Sequence, residues 1–451
     1  MKSKRIGILV GGGPAPGINA VIGAATIEAI NNGFEVFGFY KGFRRLSSPG
    51  FDPVKHSVRL DIPTVARIHF DGGSILETSR QGLLSEKTLS EDVKVAPDQG
   101  KVREVVSRLT LMGINHLITI GGDDTALSAR FVCEGADGAI KLVHVPKTID
   151  NDLPLPGDIN TFGYSTARYV GAGIVKNLMR DSRTTGRWYL VETMGRKAGW
   201  LALGITQSAG ATLTIIPEEF PEKISLEHLA DILEGAMLKR RAMGRPDGVA
   251  LMAEGVAYRL GDRKELEKLL GREVSVDAAG HLRLSDVRLA DMLKIELQNR
   301  FKARGEEMSL VSHRLGYELR SADPTPGDKA YCRSLGHGAV RLLLSGSDDL
   351  TRGVLVTIHN GELEPIALHA IVDPATNRTC TRVVDLNSYT YQVARAYMIR
   401  LEQADLDDTT KLANLAAQAK LTPEAFRKKY KRAAASPFTD SNVTVESVAE
   451  L

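Results

Sequence analysis

Residues 116–152, HLITIGGDDTALSARFVCEGADGAIKLVHVPKTIDND, decide how the chain folds. His116–Ile120 and Lys141–Pro146 are apolar runs of strand length, rich in β-branched residues. Between them Ala126, Leu127, Phe131 and Val132 recur at helical spacing, with Gly135 as the expected stop. A strand, a helix and a second strand in that order favour parallel pairing with a right-handed crossover. Ligands of open α/β sheets bind beyond the carboxyl ends of the strands. GGDDT follows the first strand and PKTIDND the second, so four carboxylates, one lysine and two threonines are expected to meet in one crevice.

Working outward, Arg5–Val10 reads as a buried strand, followed by the glycine-rich GGGPAPGIN and a helix to about Asn32, closed by Gly33. Glycines there let backbone N–H groups approach an anion at a helix N-terminus. Pro14 and Pro16 interrupt a dinucleotide fingerprint, and no acid follows FEVFGFY as a ribose ligand, which disfavours a Rossmann dehydrogenase. Taken alone, such a loop is as often only a tight strand–helix turn. FDGGSILETSRQG, which carries Arg80, would by itself read as a solvated surface loop.

Beyond the centre, TFGYSTARYVGAGIVKNLMRDS is a helix long enough to link two domains. RWYLVETMGRKAGWLALG then reads as strand, MGR loop and helix; TLTIIP is a strand, SLEHLADILEGAMLKRRA an amphipathic helix, and PDGVALMAEG ends a strand on Glu254. This is a second βαβ series with its own loop cluster. Residues 258–305 read as mostly helical and charged, with the softer VSVDAAGHLRLSD as an expected insertion. A strand, a loop with Tyr317 and Arg320, and a helix follow. RGVLVTIHNGELEPIALHAI is a hairpin turned at Asn360–Gly361. The last fifty or so residues read as helical and polar, frayed after Ser436.

The chain has 451 residues, too many for one ordinary core, so two domains are expected. It is 43% hydrophobic and 25% charged, a globular composition, and a formal charge of +3 is too small to imply nucleic acid or a membrane surface as partner. No apolar run reaches the roughly 18 residues of a membrane span. MKSKRIGILVGGG enters a strand at once and is read as free of a signal or transit peptide. Cys133, Cys332 and Cys380 show neither paired spacing nor a metal motif, so reduced thiols in a cytoplasmic protein are expected.

The loop residues suit phosphoryl transfer, which needs charge neutralised on the moving group, a base for the attacking hydroxyl, and positioning. GGDDT offers backbone donors and an acid, Asp123, suited to holding Mg²⁺ beside phosphate. In an extended loop Asp150 and Asp152, two apart, would face the same way, one as base and the other orienting it or the metal. Arg196 of MGR is a fork suited to phosphate oxygens. Singly each has a bland alternative: an Asx-turn for DND, a helix start for MGR, a surface acid for Glu254. Their coincidence at strand ends in one chain is not bland.

GGDDT, PKTIDND, MGRKAGW, MAEG and GYELR, in this order, resemble the phosphofructokinase family from the first strand to about residue 390. The resemblance implies two α/β sandwich domains with parallel-rich sheets and the active site in the cleft between them. It implies a phosphoryl-donor domain at 1–159, completed by about 319–386, and a fructose 6-phosphate domain at 160–318, completed by about 387–402. Residues 403–451 would be a C-terminal helical extension and tail. The reaction implied is Mg²⁺-dependent transfer of a phosphoryl group to the 1-hydroxyl of fructose 6-phosphate, in glycolysis or gluconeogenesis.

Carried over by position, Asp150 would be the base, with Thr148 and Asp152 lining the reaction centre. Arg196 would stabilise the moving phosphoryl, with Met194 and Gly195 contacting sugar and Glu254 binding sugar hydroxyls. Tyr317, where many members have histidine, and Arg320 would hold the 6-phosphate end. Arg187 matches an arginine lent across a subunit interface, which implies a homodimer or homotetramer with shared sites; His313 and Arg314 are both open as a further interface residue. Gly13, Arg80 and Thr125 would meet the phosphoryl donor, and Asp123 its Mg²⁺.

Two positions resemble the pyrophosphate-dependent branch. Where the ATP enzymes have glycine after the metal acid this chain has Asp124, and where they have glycine before TIDND it has Lys147. A carboxylate at 124 puts bulk and negative charge where a nucleotide's α-phosphate would lie. Lys147 brings a compact positive charge for a phosphate leaving group. The alternatives weighed against this are an ATP-dependent 6-phosphofructokinase, a lipid or NAD kinase with a GGD loop but without TIDND and MGR, and a non-catalytic phosphate-binding regulatory module, which would be marked by loss of Asp150.

Overall fold

The computed structural model describes residues 4–85, 94–276 and 282–435. Its principal strands are β1 (Lys4–Val10), β2 (Phe34–Phe39), β3 (Ser57–Leu60), β4 (Ile114–Gly121), β5 (Lys141–Thr148), β6 (Phe162–Gly163), β7 (Trp188–Thr193), β8 (Leu213–Ile215), β9 (Gly248–Ala253), β10 (Leu310–Leu315), β11 (Val354–His359) and β12 (Glu362–Ala367). The chain divides into two compact units, Met1–Gly171 with Leu270–Val287 and Leu315–Arg382, and Ala172–Leu269 with Arg288–Arg314 and Val383–Leu451. The first crossing lies inside the helix Tyr164–Thr185 rather than at residue 159. The reason is local: β6 pairs with β5 at Lys147 and Thr148, and the next turn is tied by the Thr166 N–H to Asp328 Oδ2 at 2.7 Å.

The first unit is built on one sheet, in the order β12-β11-β5-β4-β1-β2-β3, with β6 also on β5. The pairs from β2 through β1, β4 and β5 to β11 are parallel, and antiparallel β3 and β12 close the edges. Parallel strands covered on both faces explain the continuous apolar runs at 5–10 and 116–121. Alternation then sorts the side chains. Ile6, Ile8 and Val10 join a core with Val21 and Leu335 from the helices Ile18–Asn31 and Pro326–Ser345. Leu9 and Leu117 join the other, with Val102 and Phe131 from Gln99–Leu111 and Asp123–Ala136. Each such side chain, fully buried, contributes roughly 1.5–3 kcal/mol before chain entropy is subtracted.

Gly135 is not the stop of its helix. It lies inside Asp123–Ala136, where a Cβ would come within 2.5 Å of Val102, so its smallness serves helix packing. The turn is made instead by Asp137 (φ 45°) and Gly138 (φ 81°). The hairpin at Asn360–Gly361 is as expected, with φ of 51° and 82° between the antiparallel β11 and β12. The Tyr317–Arg320 segment, expected as a loop, is a single helical turn.

The second unit has the strand order β10-β7-β9-β8, with β7, β9 and β8 parallel. Trp188, fully buried, anchors its core with Leu190, Ile215, Leu233, Leu297 and Phe301, and its indole N–H donates to Pro246 O at 2.7 Å. The C-terminal extension is helical through Pro423–Tyr430 and packs Leu406, Leu415, Phe426 and Tyr430 on Leu238 and Leu401. Its Lys429 reaches the buried Glu234 carboxylate, which Arg300 and Arg304 also pair. The expected fraying after Ser436 falls outside the described residues. Among those described, no helix is long and apolar enough to cross a membrane. Cys133 and Cys332 are buried and Cys380 is exposed, all three as free thiols, and burial pushes Cys133 up to about 12.

Candidate active site

In the first unit the loop after β1 is woven into its neighbours. The N–H of Gly11 donates to Ile120 O at 2.8 Å and that of Gly12 to Ser79 O at 2.9 Å. These two donors are taken by the fold, contrary to the expectation that the glycines present N–H groups to an anion. Glycine is needed here for closeness: Cβ atoms at Gly11 and Gly121 would lie 2.4 Å and 2.3 Å from the Thr125 side chain. Thr125, expected at the phosphoryl donor, is buried and packed into these two glycines.

Lys147 is the hub of the first unit's site. Its Nζ donates to Gly13 O at 2.5 Å, and a Cβ at Gly13 would stand 2.6 Å from Arg320 Nη2. The side chain is buried, and burial pushes its pKa down to about 7; the nearby Arg320 and Arg80 push the same way, with Asp150 and Asp123 opposing. Gly13, Arg80, Asp123, Lys147, Asp150 and Arg320 are thus gathered in one electrostatic neighbourhood. Asp123 and Asp124 occupy the first turn of a helix, where the macrodipole favours negative charge. Tyr317 is 69% exposed, with the Arg320 guanidinium 5.2 Å from its ring centre.

The TIDND loop is held from several sides. Thr148 Oγ1 accepts from the Asp150 N–H at 2.9 Å, and Thr148 O accepts from the Thr161 hydroxyl at 2.7 Å. Asn151 has φ of 56°, so the loop is not extended and the two-residue alternation expected to align Asp150 with Asp152 does not apply. Asn151 Oδ1 accepts from the Thr161 N–H at 3.0 Å and from Arg382 Nη2. Behind the loop, His144 Nε2 donates to Gly121 O at 3.1 Å, which leaves Nδ1 to accept from the Thr119 hydroxyl at 2.8 Å.

In the second unit Met194, Gly195 and Arg196 follow β7 directly. Gly195 (φ 153°) and Arg196 (φ 51°) both have left-handed backbones, a costly conformation for arginine. Glu254, at the end of the adjacent β9, holds it: its Oε1 accepts from the Arg196 N–H at 3.1 Å. A Cβ at Gly255 would stand 2.1 Å from Arg196 O, so glycine is required beneath the turn. Arg187 precedes β7, its Nε 3.9 Å from Asp181. It therefore lies at the opposite end of that strand from MGR, roughly 20 Å away in its own chain. Arg314 pairs with the buried Glu192 at 3.6 Å, and His313 and Arg314 line a cavity of about 320 Å³ with Arg288 and Asp291.

A family model described as Phosphofructokinase matches residues 5–343. The chain belongs to the phosphofructokinase family. It is 52% identical, over 95% of its length and 98% of the relative's, to the pyrophosphate–fructose 6-phosphate 1-phosphotransferase of Thermotoga maritima. It is 43% identical to the enzyme of the same name from Naegleria fowleri, covering 94% of this chain and 95% of that one. A solved pyrophosphate-dependent phosphofructokinase from Marinobacter aquaeolei shares the fold, with a TM-score of 0.61 at 17% identity, covering 88% of this chain and 90% of that one.

Among the described residues of this phosphofructokinase, no group of three or more His, Cys, Asp or Glu side chains could hold a metal unaided. Mg²⁺ does not ask for one: it takes one or two carboxylates and completes its octahedron with water and substrate phosphates. Asp123, on the helix's first turn and within electrostatic reach of Lys147, fits that donor set. Sequence reading missed His144, Thr161 and Arg382. His144 reads as one more strand residue, and Thr161 and Arg382 belong to no motif.

Proposed function

We propose that this phosphofructokinase transfers a phosphoryl group reversibly from diphosphate to the 1-hydroxyl of fructose 6-phosphate, giving fructose 1,6-bisphosphate and phosphate. The observation that carries the donor assignment is Lys147, a buried amine hydrogen-bonded to the glycine loop and within electrostatic reach of Arg320, Arg80, Asp150 and Asp123. An amine so surrounded gains most when a multiply charged phosphate joins it.

Asp150 takes the proton of the 1-hydroxyl as its oxygen bonds to phosphorus and the bridging P–O bond of diphosphate breaks. Lys147 meets the charge that develops on the departing phosphate. Arg196, its backbone preset by Glu254, meets the equatorial oxygens of the moving group. Thr148 and Asp152 line the centre, and Asp123 would hold Mg²⁺, which neutralises phosphate charge when bound. Gly13, Arg80, Asp124 and Thr125 form the donor side, with Thr125 acting through packing. Met194, Gly195, Glu254, Tyr317 and Arg320 form the sugar phosphate side.

In this reading the first unit binds the donor and also supplies Tyr317 and Arg320 to the sugar phosphate, while the second supplies Met194, Gly195 and Glu254 to the sugar. Arg187, remote from MGR in its own chain, serves a neighbouring subunit of a cytoplasmic homodimer or homotetramer. The test is turnover with fructose 6-phosphate and Mg²⁺, with diphosphate or ATP in separate assays. Formation of the bisphosphate from diphosphate is expected; turnover with ATP alone would overturn the donor assignment.

A further inference from the structure

One arginine outside every motif grips the loop that carries Asp150. Arg382 Nε donates to Asn151 O at 3.2 Å, Nη2 donates to Asn151 Oδ1, and Nη1 donates to Ile159 O at 2.7 Å. Its own N–H donates to Asp152 O at 2.7 Å. Asn151 is 2% exposed and sits between the two acids with φ of 56°. Among the described residues its amide is otherwise bound to neighbours of the same loop: Nδ2 to Asn160 Oδ1 at 2.9 Å, and Oδ1 from the Thr161 N–H. Arg382 is thus the distant partner, 231 residues on, that joins both ends of the 151–159 excursion.

We propose that Arg382 is a positioning residue for the phosphoryl transfer. By clamping Asn151 in its left-handed conformation it sets the direction in which Asp150 leaves the loop. The Asp150 N–H is tied on one side to Thr148 Oγ1. On the other side of Asp150 the guanidinium ties Asn151 O, the carbonyl of the Asn151–Asp152 peptide, and the Asn151 side-chain oxygen. Without the clamp Asn151 can relax to a right-handed backbone, which turns the peptide it shares with Asp150. The base is then present but misaimed, a defect that falls on the chemical step more than on binding. Lysine cannot replace the fork, because one ammonium cannot reach three carbonyl-type oxygens in that planar arrangement.

This role rests on the proposed phosphofructokinase reaction, so wild-type turnover is measured first, with diphosphate and with ATP. Activity with either donor allows the comparison. Activity with neither overturns the reaction and this role with it. With the working donor, Arg382→Lys is expected to lose about 10–100-fold in kcat, as small misplacements do. The KM for fructose 6-phosphate should stay within about twofold. Arg382→Ala should lose at least as much and regain part of kcat on adding methylguanidinium at millimolar concentration. Asp150→Asn should gain nothing from that additive. In an Asn151→Gly background, where the left-handed backbone carries no strain, Arg382→Ala should cost less than in wild type. Unchanged kcat in Arg382→Ala overturns the proposal. So does a kcat loss that ignores methylguanidinium and is equally large in the Asn151→Gly background.

Discussion

The ammonium of Lys147 donates to the carbonyl oxygen of Gly13 at 2.5 Å, linking the end of β5 to the loop after β1. Both residues carry roles in the proposed donor site, and the bond fixes the lysine before any phosphate arrives. Lys147→Gly should therefore lower kcat with diphosphate more than it raises KM, because the lost charge acts on the leaving phosphate. Steady-state kinetics check this; an unchanged kcat removes Lys147 from that role.

Asp124 is expected to exclude ATP. Asp124→Gly takes a carboxylate from beside the nucleotide's α-phosphate, a like-charge contact that costs several kcal/mol when desolvated. ATP affinity should improve by roughly two orders of magnitude or more. The effects of Asp124→Gly and Lys147→Gly should not add, since both act on the same phosphates. Failure of Asp124→Gly to bind ATP would assign the exclusion to other residues of the pocket.

Asp150→Asn keeps the loop's backbone bonds and loses the base. A fall of about 10²–10⁴-fold in kcat is expected, with sugar binding and unfolding temperature nearly unchanged. Near-normal kcat would take the base assignment away from Asp150.

Glu254 holds the Arg196 N–H in a backbone conformation that arginine avoids. Glu254→Gln retains an acceptor oxygen and should keep much of the activity. Glu254→Ala should lose about 10²-fold in kcat/KM through a misplaced Arg196. Equal losses in the two variants would point to the carboxylate's charge rather than its hold on the turn.

Arg187 and MGR lie at opposite ends of β7, which motivates a subunit-exchange test. Inactive Asp150→Ala and Arg187→Ala protomers, mixed and allowed to exchange, should recover part of the activity. No recovery in proven hybrids would place Arg187's action within its own subunit.

His144 is fully buried, and burial pushes its pKa down to about 3. An unfolded chain binds this proton near pH 6.5, whereas the folded protein resists it until far lower pH. Stability from this group is therefore complete above about pH 6.5 and declines as pH falls toward 3, by roughly 1.4 kcal/mol per unit. His144→Gln should flatten the wild-type slope between about pH 6 and 4 in denaturant titrations. Parallel slopes would show that His144 does not contribute to it.

What the sequence by itself determined is local. β-Branched runs at 116–120 and 141–146 required strands, the helical spacing between them required a crossover, and Asn360–Gly361 required a hairpin turn. The same locality made GGDDT, TIDND and MGR legible, because strand-end loops carry their chemistry in consecutive residues. Tertiary structure decided what depends on distant partners. Gly135 has a stop's identity but faces Val102. The Gly11 and Gly12 donors look available until Ile120 and Ser79 take them. Asp150 and Asp152 would align in an extended loop, but Asn151 turns left-handed in the grip of Arg382. A residue's own propensity is set by its neighbours in sequence, whereas hydrogen bonds and steric fit are set by neighbours in space, and only folding brings those together.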